Sequence, residues 1–129
     1  MVEATALPVA WQVSFRAGDN EGRADTVKDG VGGPAGLRPH ELLEASLATC
    51  MTISARMALA GLGVQDGAVV QDGGVRVRVW LEREQAATRF RYELILEPAL
   101  EPHRAALMER VERSPVRTTL SRPLFFERG

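Results

Sequence analysis

The sequence has one cysteine and one lysine in 129 residues, and only 5% of its residues are aromatic. A single cysteine excludes a disulfide within the chain and a zinc site built from several cysteines. The 16 Lys and Arg residues are balanced by 17 Asp and Glu, which argues against a general affinity for nucleic acid or anionic membranes. A chain that depends on no disulfide fits a reducing compartment, so we expect a cytoplasmic protein without a membrane partner.

The sequence also lacks a long uninterrupted apolar run. Its most apolar stretch, Leu42 to Leu59, is broken by polar residues that include Glu44 and Arg56, so it does not have the pattern of a membrane span. Met1 to Ala10 shows no basic region followed by an apolar one, and we predict no signal peptide.

One long helix, Pro39 to Leu59, is predicted at the centre of the chain. Pro39 suits the first helical position, Glu41 suits the positive end of the helix dipole, and Gly61 and Gly63 follow as a stop. The apolar residues of this segment surround the helix instead of forming one stripe, which indicates burial on most sides. A chain of this size cannot easily cover such a helix alone, so we expect an obligate homodimer.

Alternating or turn-rich segments on both sides of this helix predict strands. We expect strands at Trp11–Phe15 and Arg23–Val27, a loop at Lys28–Arg38, and a hairpin from Val75–Leu81 and Phe90–Leu96. Further along, the pattern predicts these elements: a turn region within Gly63–Gly74, a helix at Pro102–Arg113, a helical turn at Val116–Leu120 and a short strand at Pro123–Glu127. No repeat or linker divides the chain, so we predict one α+β domain over residues 1–129.

Few residues suggest chemistry by themselves. Cys50 is the only soft nucleophile, but a lone cysteine in the middle of a helix is commonly a small packing residue. His40 and His103 have no second histidine at helical spacing, so no metal site is expected. The row Arg76, Arg78 and Trp80 on the predicted outer face of a strand is better explained as a solvated face opposed by acidic residues than as a nucleic-acid site.

Two motifs nevertheless resemble those of a known family. The segment Gly32-Gly33-Pro34-Ala35-Gly36-Leu37-Arg38-Pro39-His40-Glu41-Leu42-Leu43, followed by Ala48-Thr49-Cys50, resembles the central-helix signature of the OsmC/Ohr family. The segment Ser114-Pro115-Val116-Arg117-Thr118-Thr119-Leu120-Ser121 is similar to the second signature of that family, which starts with a cysteine. The order of these motifs and of the predicted elements extends the resemblance over nearly the whole chain.

The resemblance implies antiparallel sheets wrapped around a long central helix, in an intertwined homodimer with its sites at the subunit interface. Characterised members of the family are thiol peroxidases that reduce organic hydroperoxides. A first cysteine becomes a sulfenic acid, a second cysteine condenses with it, and an external dithiol reduces the disulfide. An arginine from the N-terminal region and a glutamate at the helix start activate the first thiolate. No cofactor or metal is implied.

The residues of this chain match that scheme only in part. Cys50 aligns with the attacking cysteine, and Ser114 takes the place of the resolving one. The activating glutamate aligns with His40, so Glu41 next to it becomes the candidate. Arg16, Arg23 and Arg38 are all possible activating arginines, and we favour Arg23.

Three interpretations therefore remain open. In the first, the chain is a one-cysteine peroxidase that external thiols recycle. A sulfenic acid without a resolving thiol in the same chain either over-oxidises or reacts with an external thiol. Alternatively, it is a non-peroxidase member that binds an apolar small molecule at the dimer interface, or Cys50 serves only packing. We expect Cys50 beside an interface pocket walled by Met51, Met57 and an aromatic residue, Trp11 or Phe15.

Overall fold

The computed structural model describes residues 1–64 and 73–129 as an α+β protein with antiparallel sheets and one long helix, which confirms the predicted class. Its residues fall into two compact units, Met1–Leu43 and Glu44–Gly129. The elements are, in chain order, β1 (Glu3–Ala6), β2 (Val13–Ala17), β3 (Asn20–Ala24), β4 (Val27–Lys28), β5 (Val31–Gly32), α1 (Pro39–Gly61), β6 (Val75–Arg83), β7 (Thr88–Leu96), a 3₁₀ helix (Pro98–His103), α2 (Arg104–Val111) and α3 (Pro115–Leu120).

In the first unit, β2 lies between β1 and β3 in an antiparallel sheet. A two-residue loop joins β2 to β3, with Gly18 at a φ of 60°. The prediction of a strand from Trp11 was wrong at its start, because Trp11 has a φ of 68° and precedes β2. The returning strand ends at Ala24 and not at Val27, as the hairpin turns earlier than the glycine pattern suggested.

The glycine-rich segment after β3 is more ordered than the predicted loop. It contains the short hairpin of β4 and β5, in which Lys28 pairs with Val31. The two residues between them, Asp29 and Gly30, have φ values of 54° and 76°. Left-handed values at both positions are those of a type I′ turn, for which Asp-Gly is a favoured sequence.

The predicted central helix is confirmed as α1, and both of its ends have local causes. At the start, the backbone N–H of Arg38 donates to a carboxylate oxygen of Glu41 at 2.8 Å, as in half of a capping box. At the end, Gly63 has a φ of 78° and the N–H of Val64 donates to the carbonyl of Leu59. This is the pattern of a Schellman motif.

The core of the second unit forms between one face of α1, the β6–β7 hairpin and α2. The helix contributes Leu47, Met51, Ala55 and Leu59, which are at most 2% exposed. Within the described part of the chain, α1 alone has the length and apolar content of a membrane span. One face of α1 packs in the core of the second unit, as in the core helix of a globular protein.

The hairpin of β6 and β7 confirms the predicted alternation of inner and outer residues. Val77 and Val79 pack against the core, whereas Arg78, Arg89 and Arg91 on the outer face meet acidic residues. The ion pairs of this face join Arg78 to Glu93, Arg91 to Glu82 and Arg89 to Glu84, and Arg91 also lies over the ring of Trp80. Arg78 of the predicted arginine row therefore belongs to a solvated face on which acidic residues oppose the arginines.

The C-terminal part departs from the prediction in two places. The helix expected over Pro102–Arg113 is divided, because the 3₁₀ helix occupies Pro98–His103 and α2 begins at Arg104. Pro123–Glu127 forms no strand in this chain, and Phe125 and Phe126 are 85% and 94% exposed. Most of the turn region predicted within Gly63–Gly74 lies outside the described residues.

Arg104 joins α2 to the strand before it. Its guanidinium donates to both carboxylate oxygens of Glu101 and to the carbonyl of Leu94. The hydrogen bond from Arg104 holds the pKa of Glu101 below its ordinary value. This clamp fixes the turn between β7 and α2.

Glu44 makes the contact that ties α1 to the edge of β6. Its Oε1 accepts a hydrogen bond from the backbone N–H of Leu81 at 3.2 Å, in a partly buried position. A strand N–H that points away from its partner strand otherwise needs water or another acceptor. Glu44 therefore has a structural role that its sequence position did not reveal.

We predict that Glu44→Ala lowers the free energy of unfolding by about 1–3 kcal/mol, because it leaves the Leu81 N–H without its charged acceptor. Glu44→Gln should recover most of this loss, since the amide oxygen can still accept. The matched control is Glu109→Ala, which removes an exposed ion pair with Arg113 and should change stability by less than about 0.5 kcal/mol. Urea unfolding measures all three, and equal losses for Glu44→Ala and Glu109→Ala would refute the assigned role.

Candidate functional site

The candidate nucleophile, Cys50, lies in the middle of α1 as a free, half-buried thiol. Around the helix axis, the buried residues Met51 and Ser54 lie on one side of Cys50. The exposed residues Ile53 and Met57 lie on its other side. The thiol thus stands at the boundary between the packed face and the open face of the helix. A packing cysteine would be sealed, whereas a nucleophile must be reachable, and this position allows reaction.

The expected walls of a pocket beside Cys50 are only partly available. Met51 is fully buried in the core of the second unit, so its predicted place as a pocket wall was wrong in the single chain. Met57 is 57% exposed and can line a surface. Trp11 and Phe15 belong to the first unit. The interface pocket remains a prediction.

At the start of α1, the carboxylate of Glu41 is engaged by the backbone. Its Oε1 accepts from the N–H of Arg38, which leaves the other oxygen for further interactions. Both Glu41 and His40 are exposed. The capping contact fixes the carboxylate in one position, which suits a structural cap and is compatible with a role in orienting a cation.

The three candidate arginines differ in their surroundings within the first unit. Arg16 forms an exposed ion pair with Glu21. The backbone of Arg23 lies against Gly36, since a Cβ on that glycine would fall 2.1 Å from the Arg23 carbonyl oxygen. A parallel bridge between Ala24 and Leu37 continues this contact. The fold thus brings β3 beside the segment that enters α1, and only glycine fits at position 36.

Asp25, which the sequence analysis did not single out, organises that segment. The residue is buried, and its two carboxylate oxygens accept from the backbone N–H groups of Thr26 and Ala35, at 2.8 and 3.1 Å. An aspartate that immediately precedes a glycine-rich loop is a recognisable signal for such turns. The N–H of Ala35 is thereby used inside the protein and is not available to an external ligand.

Ser114, at the position of the second motif, is fully buried and precedes α3. Its backbone carbonyl accepts from Thr118, but its hydroxyl makes no capping bond to α3. Among the described residues the Ser114 Oγ has no hydrogen-bond partner at all. A serine directly before a proline is a favoured N-cap, but this hydroxyl does not act as one, since it makes no hydrogen bond to the N–H groups of α3.

A metal centre finds no support in the described ranges 1–64 and 73–129. No group of three or more His, Cys, Asp or Glu side chains there is arranged to hold an ion. Cys50 is the sole cysteine of the whole sequence.

Comparison with known proteins identifies two kinds of similarity. Residues 32–127 match the family model described as OsmC-like protein. The fold is similar to that of an osmotic stress induced and detoxification response protein from Psychrobacter arcticus 273-4, with TM-score 0.68 and 16% identity over 92% of this chain and 85% of that one.

A second similar structure is that of an organic hydroperoxide resistance protein OsmC from Legionella pneumophila, also described as a predicted redox protein and regulator of sulfide bond formation. The TM-score is 0.59 and the identity 15%, over 94% of this chain and 88% of that one. The search of curated protein sequences finds no match. At these identities the structural likeness establishes the fold.

The buried Ser114 hydroxyl has no hydrogen-bond partner among the described residues, and this predicts how its removal changes stability. Ser114→Ala should raise the free energy of unfolding by about 1 kcal/mol or more, because a buried hydroxyl without a partner carries an uncompensated desolvation cost. The control is Ser121→Ala, in which an exposed hydroxyl that donates to the Thr118 carbonyl is lost, with little change or a small loss. Thermal and urea unfolding measure both, and a marked destabilisation by Ser114→Ala would show that the hydroxyl has a stabilising partner.

Proposed function

The chain belongs to the family of OsmC-like proteins, and on this premise we propose that it is a one-cysteine thiol peroxidase that reduces organic hydroperoxides. The observation that carries the proposal is the position of Cys50, half-buried at the open edge of the helix that bears the family signature. The relative named as an organic hydroperoxide resistance protein supports the substrate class. A cytoplasmic location agrees with a thiol that must be kept reduced.

The proposed reaction needs no cofactor. The Cys50 thiolate attacks one oxygen of the hydroperoxide, an S–O bond forms, the O–O bond breaks, and the alcohol leaves with a proton. The resulting sulfenic acid reacts with an external dithiol, which releases water and forms a mixed disulfide. The second thiol of the reductant then displaces Cys50 and becomes a disulfide with its neighbour.

In this proposal Arg23 stabilises the thiolate and the developing negative charge, and Glu41 orients the arginine. Both roles are carried over from the family resemblance; within the first unit, the Arg23 backbone lies beside the segment in which Glu41 caps α1. Ser114 takes no part in electron transfer because a hydroxyl cannot form a disulfide. Recycling therefore depends on thiols from outside the chain.

We further propose that the active form is a homodimer in which α1 packs against α1 of a second copy. On the open side of the helix, Ser46, Ile53, Met57 and Ala60 follow one another at spacings of seven, four and three residues and form one stripe, with Cys50 at its edge. Ile53 and Met57 are each more than half exposed in the single chain. Such spacing is that of a helix seam, and the exposed Phe125 and Phe126 add apolar surface to be covered.

A second candidate function is the binding of an apolar small molecule at the dimer interface without peroxidase chemistry. The buried Ser114 favours this alternative, since the chain carries no resolving thiol at the second motif. The two functions differ in whether Cys50 consumes peroxide. A kinetic test therefore separates them.

We predict that the protein consumes cumene hydroperoxide over many turnovers with dithiothreitol, and only about one equivalent per Cys50 without it. Cys50→Ser should be inactive. Arg23→Ala should slow consumption by at least about tenfold through loss of a charge-stabilising donor, whereas the matched change Arg16→Ala should not. Consumption by Cys50→Ser at the wild-type rate would refute the peroxidase proposal, and equal effects of the two arginine variants would refute the role of Arg23.

The variant Ser114→Cys adds a thiol at the second motif and tests the alignment separately. After one equivalent of peroxide, intact-mass analysis should show the loss of two hydrogens through a disulfide with Cys50. Wild type under excess peroxide should instead gain two oxygens as the sulfinic acid. A free thiol at position 114 beside an over-oxidised Cys50 would contradict the proposed proximity of the two positions.

The dimer proposal predicts that sedimentation velocity finds the wild type as a dimer at micromolar concentration. Met57→Glu should convert it to a monomer, because a charge would be buried in the helix seam. The control is Ala105→Glu, an exposed position of α2 outside the seam. A monomeric wild type, or a dimer that both variants leave intact, would overturn the assigned interface.

A further inference from the structure

The segment that enters α1 is held against the end of β3 within the first unit. Gly36 packs against the backbone of Arg23, and the carbonyl of Leu37 accepts from the N–H of Asp25 at 3.1 Å. The N–H of Ala35 donates to the Asp25 carboxylate. Three consecutive residues of the segment thus each contact β3 or the residue that follows it.

The same segment continues directly into the cap of α1. The N–H of Arg38, its last residue, donates to Glu41 at 2.8 Å. Pro39 follows as the first residue of the helix, so the contacts to β3 and the cap adjoin each other along the chain. Because each link in this path is short, the position of β3 fixes where the helix start with Glu41 lies relative to the backbone of Arg23.

The side chain of Asp25 is the link in this path that a substitution can remove. It is 2% exposed, and its Oδ2 reaches across ten residues to accept from the N–H of Ala35 at 3.1 Å. Its Oδ1 accepts from the N–H of the neighbouring Thr26. Hydrogen bonds to an ionised acceptor are stronger than those between neutral groups, and burial of the carboxylate requires them. The carboxylate therefore clamps the segment to the end of β3.

We propose that Asp25 is a positioning residue, which sets the distance between Arg23 and Glu41 and thereby acts on Cys50 through Arg23. This inference rests on the peroxidase proposal, in which Arg23 stabilises the Cys50 thiolate and Glu41 orients the arginine. It requires no contact between Asp25 and the peroxide. Displacement of a reacting group by about 1 Å can lower a rate by about 100-fold, so a loosened segment is enough to weaken the effect of the arginine.

A double-mutant cycle on the rate at which iodoacetamide alkylates Cys50 tests this role. The thiolate is the reactive form, so we expect Asp25→Ala and Arg23→Ala each to slow alkylation by at least about threefold at neutral pH. The double variant should react no more slowly than Arg23→Ala alone, because Asp25 acts through the arginine. If the two effects instead multiply, Asp25 acts by another route, such as general destabilisation, and the proposal is overturned.

A pair of glycine variants tests the same junction without changing a charge. A Cβ at position 36 would collide with the Arg23 carbonyl oxygen, so Gly36→Ala must push the segment away from β3 and should slow alkylation as Asp25→Ala does. Gly33→Ala is the matched control, since its Cβ would lie at an ordinary contact distance of 3.7 Å from the Asp25 Oδ2. Equal alkylation rates for the two glycine variants would contradict the positioning role.

Circular dichroism checks that each variant is folded before its rate is compared. If Asp25→Ala does not fold, Asp25→Asn takes its place in the cycle, because the amide has the same shape and keeps one acceptor oxygen. The same coupling with Arg23→Ala is then expected, and multiplied effects again overturn the proposal.

Alkylation requires no peroxide turnover, so the cycle separates this inference from the proposed function. If the wild type consumes cumene hydroperoxide but the two effects multiply, Asp25 has no positioning role and the peroxidase proposal stands. If the effects are coupled but the wild type consumes no hydroperoxide, Asp25 positions Arg23 for thiolate activation and the peroxidase proposal alone fails. Alkylation of Arg23→Ala at the wild-type rate would overturn the positioning role, since Asp25 would then have no arginine effect to transmit.

Discussion

Everything else in the second unit depends on the fact that α1 buries one face and leaves another face apolar and open. Leu47, Met51 and Leu59 enter the core with the hairpin, and each fully buried side chain of this kind contributes about 1.5–3 kcal/mol before entropy is counted. Ile53 and Met57 receive no such cover in the single chain. One face of the helix is therefore packed in the core of the second unit, and another face is apolar and exposed in the single chain. Cys50 lies at the boundary between these two faces.

The start of α1 shows how structural and chemical roles coincide in a few residues. Asp25 holds the glycine-rich segment through two backbone donors, and Gly36 lets that segment approach β3 closely. Glu41 then caps the helix through the N–H of Arg38. A carboxylate that is fixed in this way loses little entropy on orienting a cation, so a capping role does not compete with the role proposed for it in catalysis.

Ser114 illustrates the opposite case, in which a residue has neither of the roles that its position suggests. A serine before a proline favours an N-cap, and the second motif of the family favours a cysteine. The buried hydroxyl makes no capping bond, and no partner for it is found in the described part of the chain. Its burial without a partner is a cost that the fold tolerates, because the surrounding side chains of the core supply a larger stabilisation.

The sequence by itself determined the α+β class, the start of α1 at Pro39 and its end to within two residues, and the existence of the β6–β7 hairpin, because periodicity, Pro39 and Gly63 are local signals. Its motifs also determined the family. Tertiary structure alone decided which face of α1 is buried. The apolar residues of α1 surround the helix, so the buried face is the one against which the β6–β7 hairpin packs. It likewise decided that Glu44 binds the N–H of Leu81 and that Gly36 packs against the backbone of Arg23. These contacts join residues far apart in the chain, and no local pattern encodes such pairings.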